Sequence, residues 1–284
     1  MNRRIFALLA AALLVLSVSG CTEKAAVQAQ TDLLATTQPV YQLANALTDG
    51  TGLTVSLLIS EPVSCLHDYT LTVSQMEKIE NAKLVLESGL GLEDFMADAL
   101  SGKVRIVVSS TLPTLEGDEG IDPHWWLDPT RFRAAAKLTA QELGSQYPEF
   151  TDQIAENFAA FDKKLSELQS YGDEALKNLS CRELVTFHDG FSYFADSFGL
   201  TIAAAMEVES GSEPSAKELE QIVSIVEKAK IPAVFTETNG ETGSAQVVAN
   251  ETGCKVYTLD MAISNADYFA AMRENINTIK EALG

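Results

Sequence analysis

From about residue 31 the chain alternates short apolar runs with longer stretches in which apolar residues return every three or four positions. Strand-like and helix-like periods in alternation are the pattern of βα units, and they predict mainly parallel sheets. In the first half the strand-like runs are Leu33–Thr36, Leu53–Leu58, Leu84–Glu87 and Val104–Val108. Helical patterns lie at Val40–Leu47, Thr72–Asn81, Leu92–Leu100 and Thr130–Leu143, the last beginning after Pro129. In the second half the strand-like runs are Leu184–Phe187, Thr201–Ala204, Ala233–Thr236 and Lys255–Leu259. There the segment Ser215-Ala216-Lys217-Glu218 has the form of a capping box and opens a helix with apolar residues at Leu219, Ile222, Val223 and Val226.

Between the halves the pattern changes. From about Phe150 to Leu179 there is no proline and a single glycine, Gly172. Apolar residues at Ile154, Phe158, Phe161, Leu165, Leu168 and Tyr171 form one stripe at steps of three and four. That spacing predicts one amphipathic helix roughly 45 Å long at 1.5 Å per residue. The expected architecture is α/β, with two lobes that each hold a mainly parallel four-stranded sheet flanked by helices, joined by one long rigid helix. The expected divisions are a first lobe over 31–147, the connecting helix over 148–180 and a second lobe over 181–284.

The first residues carry a different message. Arg3 and Arg4 precede an apolar run, Ile5 to Val18, too short to span a bilayer comfortably, and Val18-Ser19-Gly20 leads into Cys21. That ending resembles a bacterial lipobox. It predicts a signal peptide over 1–20, lipidation of Cys21 as the mature N-terminus, and a flexible tether over 21–30. Several acyl chains on Cys21 would anchor the protein to the extracytoplasmic face of the cell membrane. Without Arg3 and Arg4 the chain holds 18 basic residues against 40 acidic ones, a net charge of −22. Such a surface excludes nucleic acid as a partner and favours solubility and attraction of cations. After Cys21 three cysteines remain, Cys65, Cys181 and Cys254, so at most one intramolecular disulfide forms and one thiol is left over.

Histidine is the scarcest chemical resource, with three in 284 residues. His67, His124 and His188 each sit in a loop just after a strand-like run. Ligands of open parallel sheets bind beyond the carboxyl ends of the strands, so the first two belong to one lobe and the third to the other, and the site falls in the cleft between them. Three imidazoles suit a tetrahedral Zn²⁺ that needs one more donor. Asp260, ending Lys255-Val256-Tyr257-Thr258-Leu259-Asp260, is the favoured fourth ligand. Glu237, ending Ala233-Val234-Phe235-Thr236-Glu237, is the substitute or an acceptor for an imidazole N–H. Asp68 and Asp189 follow histidines and either orient rings or cap the next helix. Trp125 and Trp126 read as packing around the site, and Cys65 as a minority thiolate candidate.

The motifs around these residues resemble those of the solute-binding lipoproteins of ABC transporters that capture zinc or manganese. Leu66-His67-Asp68-Tyr69 is similar to the family's first metal loop, and Asp122-Pro123-His124-Trp125-Trp126-Leu127-Asp128-Pro129 matches its Asp-Pro-His-x-Trp-Leu-Asp-Pro segment almost fully. His188 stands where zinc members carry histidine and manganese members typically glutamate, and Val256 to Asp260 resembles the segment of the last carboxylate. Two departures stand out. Cys65-Leu66 replaces the small and proline residues common before the first histidine, and Leu112 to Ile121 is short and acidic where many zinc members carry a His-rich insert.

The resemblance implies a membrane-anchored extracytoplasmic receptor that binds Zn²⁺ in the interlobe cleft and delivers it to an ABC permease for high-affinity uptake. Mn²⁺ is the alternative cargo; zinc outranks manganese at nitrogen ligands. A monomer with no catalytic activity is expected. The rival from another class is a secreted zinc hydrolase, against which stand the absence of a His-Glu-x-x-His helix and of a Gly-x-Ser-x-Gly elbow. A surface protein of cell adhesion is the third class.

Overall fold

The computed structural model describes residues 30–60, 69–117, 120–206, 214–238, 240, 242–263 and 267–284. The signal peptide, Cys21 and most of the tether, together with Cys65, His67 and Asp68, lie outside the described residues.

The first half builds a parallel sheet from β1 (Thr31–Ala35), β2 (Val55–Leu57), β3 (Ala82–Glu87) and β4 (Arg105–Val107), in the order β2-β1-β3-β4. Leu33, Leu34 and Ala35 are all fully buried, because the sheet is covered on both faces. Successive side chains point to opposite sides. Thus Leu33, Ala35, Leu84 and Leu86 pack with Val40, Leu43 and Leu47 of α1 (Gln38–Thr48). Leu34 and Val85 pack with Ile79 of α2 (Val73–Asn81) and with Leu100 of α3 (Ala97–Leu100). The helical pattern read over 92–100 proves to be a 3₁₀ turn, Asp94–Met96, followed by that single turn of α3. Gly89, Leu90 and Gly91 all take positive φ just before it, so the chain arrives from a tight loop that leaves little length for a helix. After β4 the acidic segment forms a small antiparallel pair, β5 (Glu116–Gly117) and β6 (Gly120–Ile121), which the sequence reading did not assign. A 3₁₀ turn, Trp125–Leu127, then leads into α4 (Pro129–Gln146), whose N-cap Asp128 accepts hydrogen bonds from the N–H groups of Thr130 and Arg131.

The helix predicted between the halves is α5 (Thr151–Leu176), 26 residues and so about 39 Å long. Ile154, Phe161, Leu165 and Leu168 of the stripe are buried and Phe158 and Tyr171 partly so, packed into a core cluster that continues into both halves. The amide of Asn157 donates to the carbonyls of Leu47 and Asp49, satisfying the C-terminal end of α1. At Gly172 the helix makes a close approach to the second half. A Cβ there would lie 2.2 Å from Cε1 of Phe198.

The second sheet consists of β7 (Glu183–Thr186), β8 (Thr201–Ala205), β9 (Ala233–Glu237) and β10 (Lys255–Leu259), in the order β10-β9-β7-β8 and again all parallel. Val185 and Val234 pack with Ile222 and Val226 of α7 (Ala216–Ala229), which opens with the expected capping box at Ser215 and Glu218. Three helices absent from the sequence-based assignment complete this half: α6 (Ser192–Ser197), α8 (Gly243–Thr252) and α9 (Tyr268–Leu283). Cys181 and Cys254 are half-buried free thiols. Among the described residues no helix is long and apolar enough to cross a membrane.

Candidate metal centre

Parallel strands present all their carboxyl ends at one edge, and the candidate residues of the second half sit there. Glu237 is the last residue of β9, and Asp260 follows directly on β10. Leu259 pairs with Glu237 and Thr186 with Phe235, so His188, two residues beyond Thr186, comes level with Glu237. From the first half, His124 arrives on the loop after the β5–β6 hairpin. The imidazoles of His124 and His188 meet with centroids 5.3 Å apart and planes at 79°.

Two residues that sequence reasoning missed make this meeting work. Gly190 is one: a Cβ there would lie 2.8 Å from Cδ2 of His188, 3.0 Å from Cε1 of His124 and 2.6 Å from Cε of Met261. A side chain there would require Met261 and His188 to shift and would crowd His124. Asp122 is the other. Its buried carboxylate oxygen Oδ1 accepts the backbone N–H of His124 at 2.8 Å and lies 2.7 Å from Nδ1 of the same residue. A carboxylate on Nδ1 fixes the ring and turns Nε2 outward as the nitrogen able to ligate. The signal for Asp122 was present in the Asp-Pro-His spacing; the signal for Gly190 was only its place two residues after a histidine.

Trp125 and Trp126 are buried packing residues, as expected. The indole of Trp125 donates to Oγ of Ser88, and that of Trp126 crosses to the second half and donates to the carbonyl of Met261 at 2.8 Å. Tyr268 returns the bond, its hydroxyl donating to the carbonyl of Trp126 at 2.7 Å. The loop bearing His124 and the loop bearing Asp260 are thereby fastened to each other.

The two carboxylate candidates differ in setting. Burial pushes the Glu237 carboxyl up to about 7; the nearby charge of Asp260 adds to this and His124 opposes it. Asp260 is shaped by its loop. Its Oδ1 accepts from the N–H of Ala262 at 2.7 Å, and its backbone exchanges two hydrogen bonds with the side chain of Asn275. Asp189 does not cap the next helix, whose N-cap is Phe191. It reaches instead toward the hairpin, where a Cβ on Gly117 would lie 3.0 Å from its Oδ2 and 3.8 Å from Cβ of Asp122. Gly117 of the hairpin therefore lies against the residues that flank His124 and His188 in sequence. Among the described residues no group of three His, Cys, Asp or Glu side chains is placed to hold a metal ion. The structure brings together His124 and His188, with Glu237 and Asp260 beside them in the sheet register, while His67 lies outside the described residues.

A chain of this fold and cleft has well-characterised counterparts. The model of the family described as zinc-uptake complex component A, periplasmic, matches residues 33–282. The zinc-binding protein TroA of Treponema pallidum (strain Nichols) is 27% identical over 240 residues, covering 76% of this chain and 78% of that protein. The zinc-binding lipoprotein AdcA of Streptococcus pneumoniae (strain ATCC BAA-255 / R6) is 26% identical over 96% of this chain, which spans only 60% of that longer protein. The manganese-binding lipoprotein MntA of Bacillus subtilis (strain 168) is 27% identical over 94% of this chain and 95% of its own length. Among solved structures, a zinc-bound ZnuA deletion mutant superposes with a TM-score of 0.78 at 28% identity, covering 89% of this chain and 98% of the other.

Proposed function

The chain belongs to the zinc-uptake component A family, metal-binding receptors that work with ABC-transporter permeases and are not enzymes, and from that premise we propose that its own cargo is Zn²⁺. In this reading His67, His124 and His188 ligate the ion, Asp260 supplies the fourth donor, and Glu237 stands in reserve or accepts from an imidazole N–H. Lipid on Cys21 holds the monomer at the extracytoplasmic face of the membrane, where it hands zinc to its permease. The proposed divisions are 1–20, 21–30, 31–147, 148–180 and 181–284.

The observation that carries the reading is the right-angled meeting of His124 and His188 from opposite halves of the molecule, with Asp122 holding Nδ1 of the first. Two such imidazoles need only one more nitrogen and one oxygen to complete a tetrahedral zinc shell. Manganese prefers a harder, more oxygen-rich shell, so a site dominated by imidazole favours zinc over it. The family includes relatives named for either metal, so the choice of zinc rests on the proposed ligand chemistry.

The test is metal analysis of protein purified without added metal, followed by calorimetric competition between Zn²⁺ and Mn²⁺ on the native chain and on His67→Ala, His124→Ala and His188→Ala. Each substitution should lower zinc affinity by orders of magnitude. Displacement of zinc by equimolar manganese would overturn the choice of cargo, and a histidine variant with native affinity would overturn the ligand set.

A further inference from the structure

We infer that Arg131 is a positioning residue of the cleft, holding the segment 188–197, which carries His188, against the half of the molecule that carries His124. Arg131 lies in the first turn of α4, and the carboxylate of Asp128 aims it. Oδ1 of Asp128 accepts the backbone N–H of Arg131 at 3.1 Å, and Oδ2 pairs with its guanidinium. Asp128 belongs to the same Asp122–Pro129 run that supplies His124, so the direction of the guanidinium is set by the loop that sets the imidazole.

The guanidinium then reaches the other half of the molecule. Nη1 donates to Oδ2 of Asp196 in α6 at 2.8 Å, and Cζ stands 4.8 Å over the ring centroid of Tyr193 in the same helix. Nε donates back to the carbonyl of Pro113 at 3.2 Å, at the foot of the acidic hairpin. The fully buried Tyr193 closes the circuit, its hydroxyl accepting the N–H of Leu115 at 3.0 Å. Only a planar fork with several donors can face a carboxylate, a carbonyl and an aromatic ring at once, which is why arginine fits here and lysine does not.

The far end of α6 is fastened separately. Oγ of Ser197 donates to the Gln169 side chain of α5 at 2.9 Å, the amide of Gln169 donates to the carbonyl of Ser197 at 3.2 Å, and Phe198 rests on Gly172. With its C-terminal end pinned to α5, the segment pivots there once Arg131 lets go, and His188 moves with it. The exposed Asp196 pair alone would hold little. It holds more as the last member of a network in which Asp128 and Tyr193 are buried and Arg131 is half-buried.

The consequence for metal rests on the zinc reading above; the consequence for position does not, and two measurements on the mature chain separate them. The first is hydrogen exchange of the metal-free protein. Amides of 188–197 should exchange several-fold faster in Asp196→Asn and Arg131→Gln than in the native chain, while those of β7 and β9 keep their protection. The second is release of Zn²⁺ into excess chelator. It should be about 3- to 10-fold faster in Arg131→Gln, less affected in Asp196→Asn and intermediate in Arg131→Lys, with the differences shrinking at high salt. Unchanged exchange overturns the inference, and so does faster exchange with unchanged release. A native chain that binds no zinc sinks the cargo reading, and the exchange measurement still decides whether Arg131 holds the segment. Should Arg131→Gln fail to fold, Asp196→Asn, altered at a half-exposed carboxylate, carries the test.

Discussion

Adding one methyl group to the long helix tests how α5 is joined to the second half. Glycine in a helix interior costs about 1 kcal/mol relative to alanine, so Gly172→Ala at an open position would stabilise the protein by that amount. Here the new Cβ would stand 2.2, 2.7 and 2.9 Å from three ring carbons of Phe198, a buried side chain that also packs on Phe194 with centroids 4.8 Å apart. The ring has to retreat by about 1 Å or more to reach ordinary contact, and overpacking of this kind costs about 1–3 kcal/mol. Set against the helical gain, the net effect is a destabilisation of about 0–2 kcal/mol, or roughly 0–4 °C in melting temperature for a chain of this size. Thermal unfolding of the metal-free protein measures it. The discriminating variant is the double substitution Gly172→Ala with Phe198→Leu, because the shorter side chain vacates the space the methyl needs. The double variant should be more stable than Phe198→Leu alone, as helix propensity then acts unopposed. A Gly172→Ala protein stabilised by a full 1 kcal/mol would refute the close approach.

Asp122→Asn keeps an acceptor for His124 but loses its charge, and zinc affinity should fall by about 10- to 100-fold in calorimetric titration; an unchanged constant would show that the ring needs no carboxylate. Burial lifts Glu93, whose carboxylate accepts from the Thr36 hydroxyl and the N–H groups of Ser88 and Gly89, to about 7, and does the same to Glu237. Because both folded-state values are raised, the stability these groups contribute is fully present below about pH 4.5 and is lost as pH rises through 7. Urea unfolding of the metal-free protein should show that decline between pH 5 and 8 and a shallower one in Glu93→Gln; equal slopes would count against the buried acid. Replacing Glu116, Asp118 and Glu119 by their amides should leave equilibrium zinc affinity nearly intact and at most slow association at low salt. A loss as large as that of His124→Ala would make the hairpin a source of ligands.

The sheets were legible because strands buried on both faces are near-continuous apolar runs, as Leu33-Leu34-Ala35 and Ala233-Val234-Phe235 show. The long helix announced itself through the stripe from Ile154 to Tyr171. Elements held together by distant partners escaped. The hairpin over 116–121 has strands of two residues, too short for any period, and α6 spans six residues whose apolar side chains answer to neighbours in the other half. The α8 helix opens on Gly243 with no side-chain cap and has only a weak apolar face. For α9 the spacing Met272, Ile276, Ile279, Leu283 was available in the sequence. Of the candidate site, residue types and strand-end positions could be read directly. What could not was the set of contacts that place them, since Arg131 and Asp196 are 65 positions apart and Trp126 and Met261 are 135 apart.

The pair of indoles has a practical side. Trp125 and Trp126 are the chain's two tryptophans, both buried, and both follow immediately on His124. The rings of Trp126 and His124 lie 5.3 Å apart, centre to centre. Ultraviolet emission excited at the red edge of the spectrum, where tyrosine no longer absorbs, therefore originates wholly in two rings that follow directly on His124, one of them packed against its imidazole. The protein carries its own optical probe, and one needing no label or engineered residue. On the proposed reading that His124 ligates the cargo, metal arriving there should perturb the only two tryptophans present, so occupancy should be readable in real time against a background that the rest of the molecule does not supply.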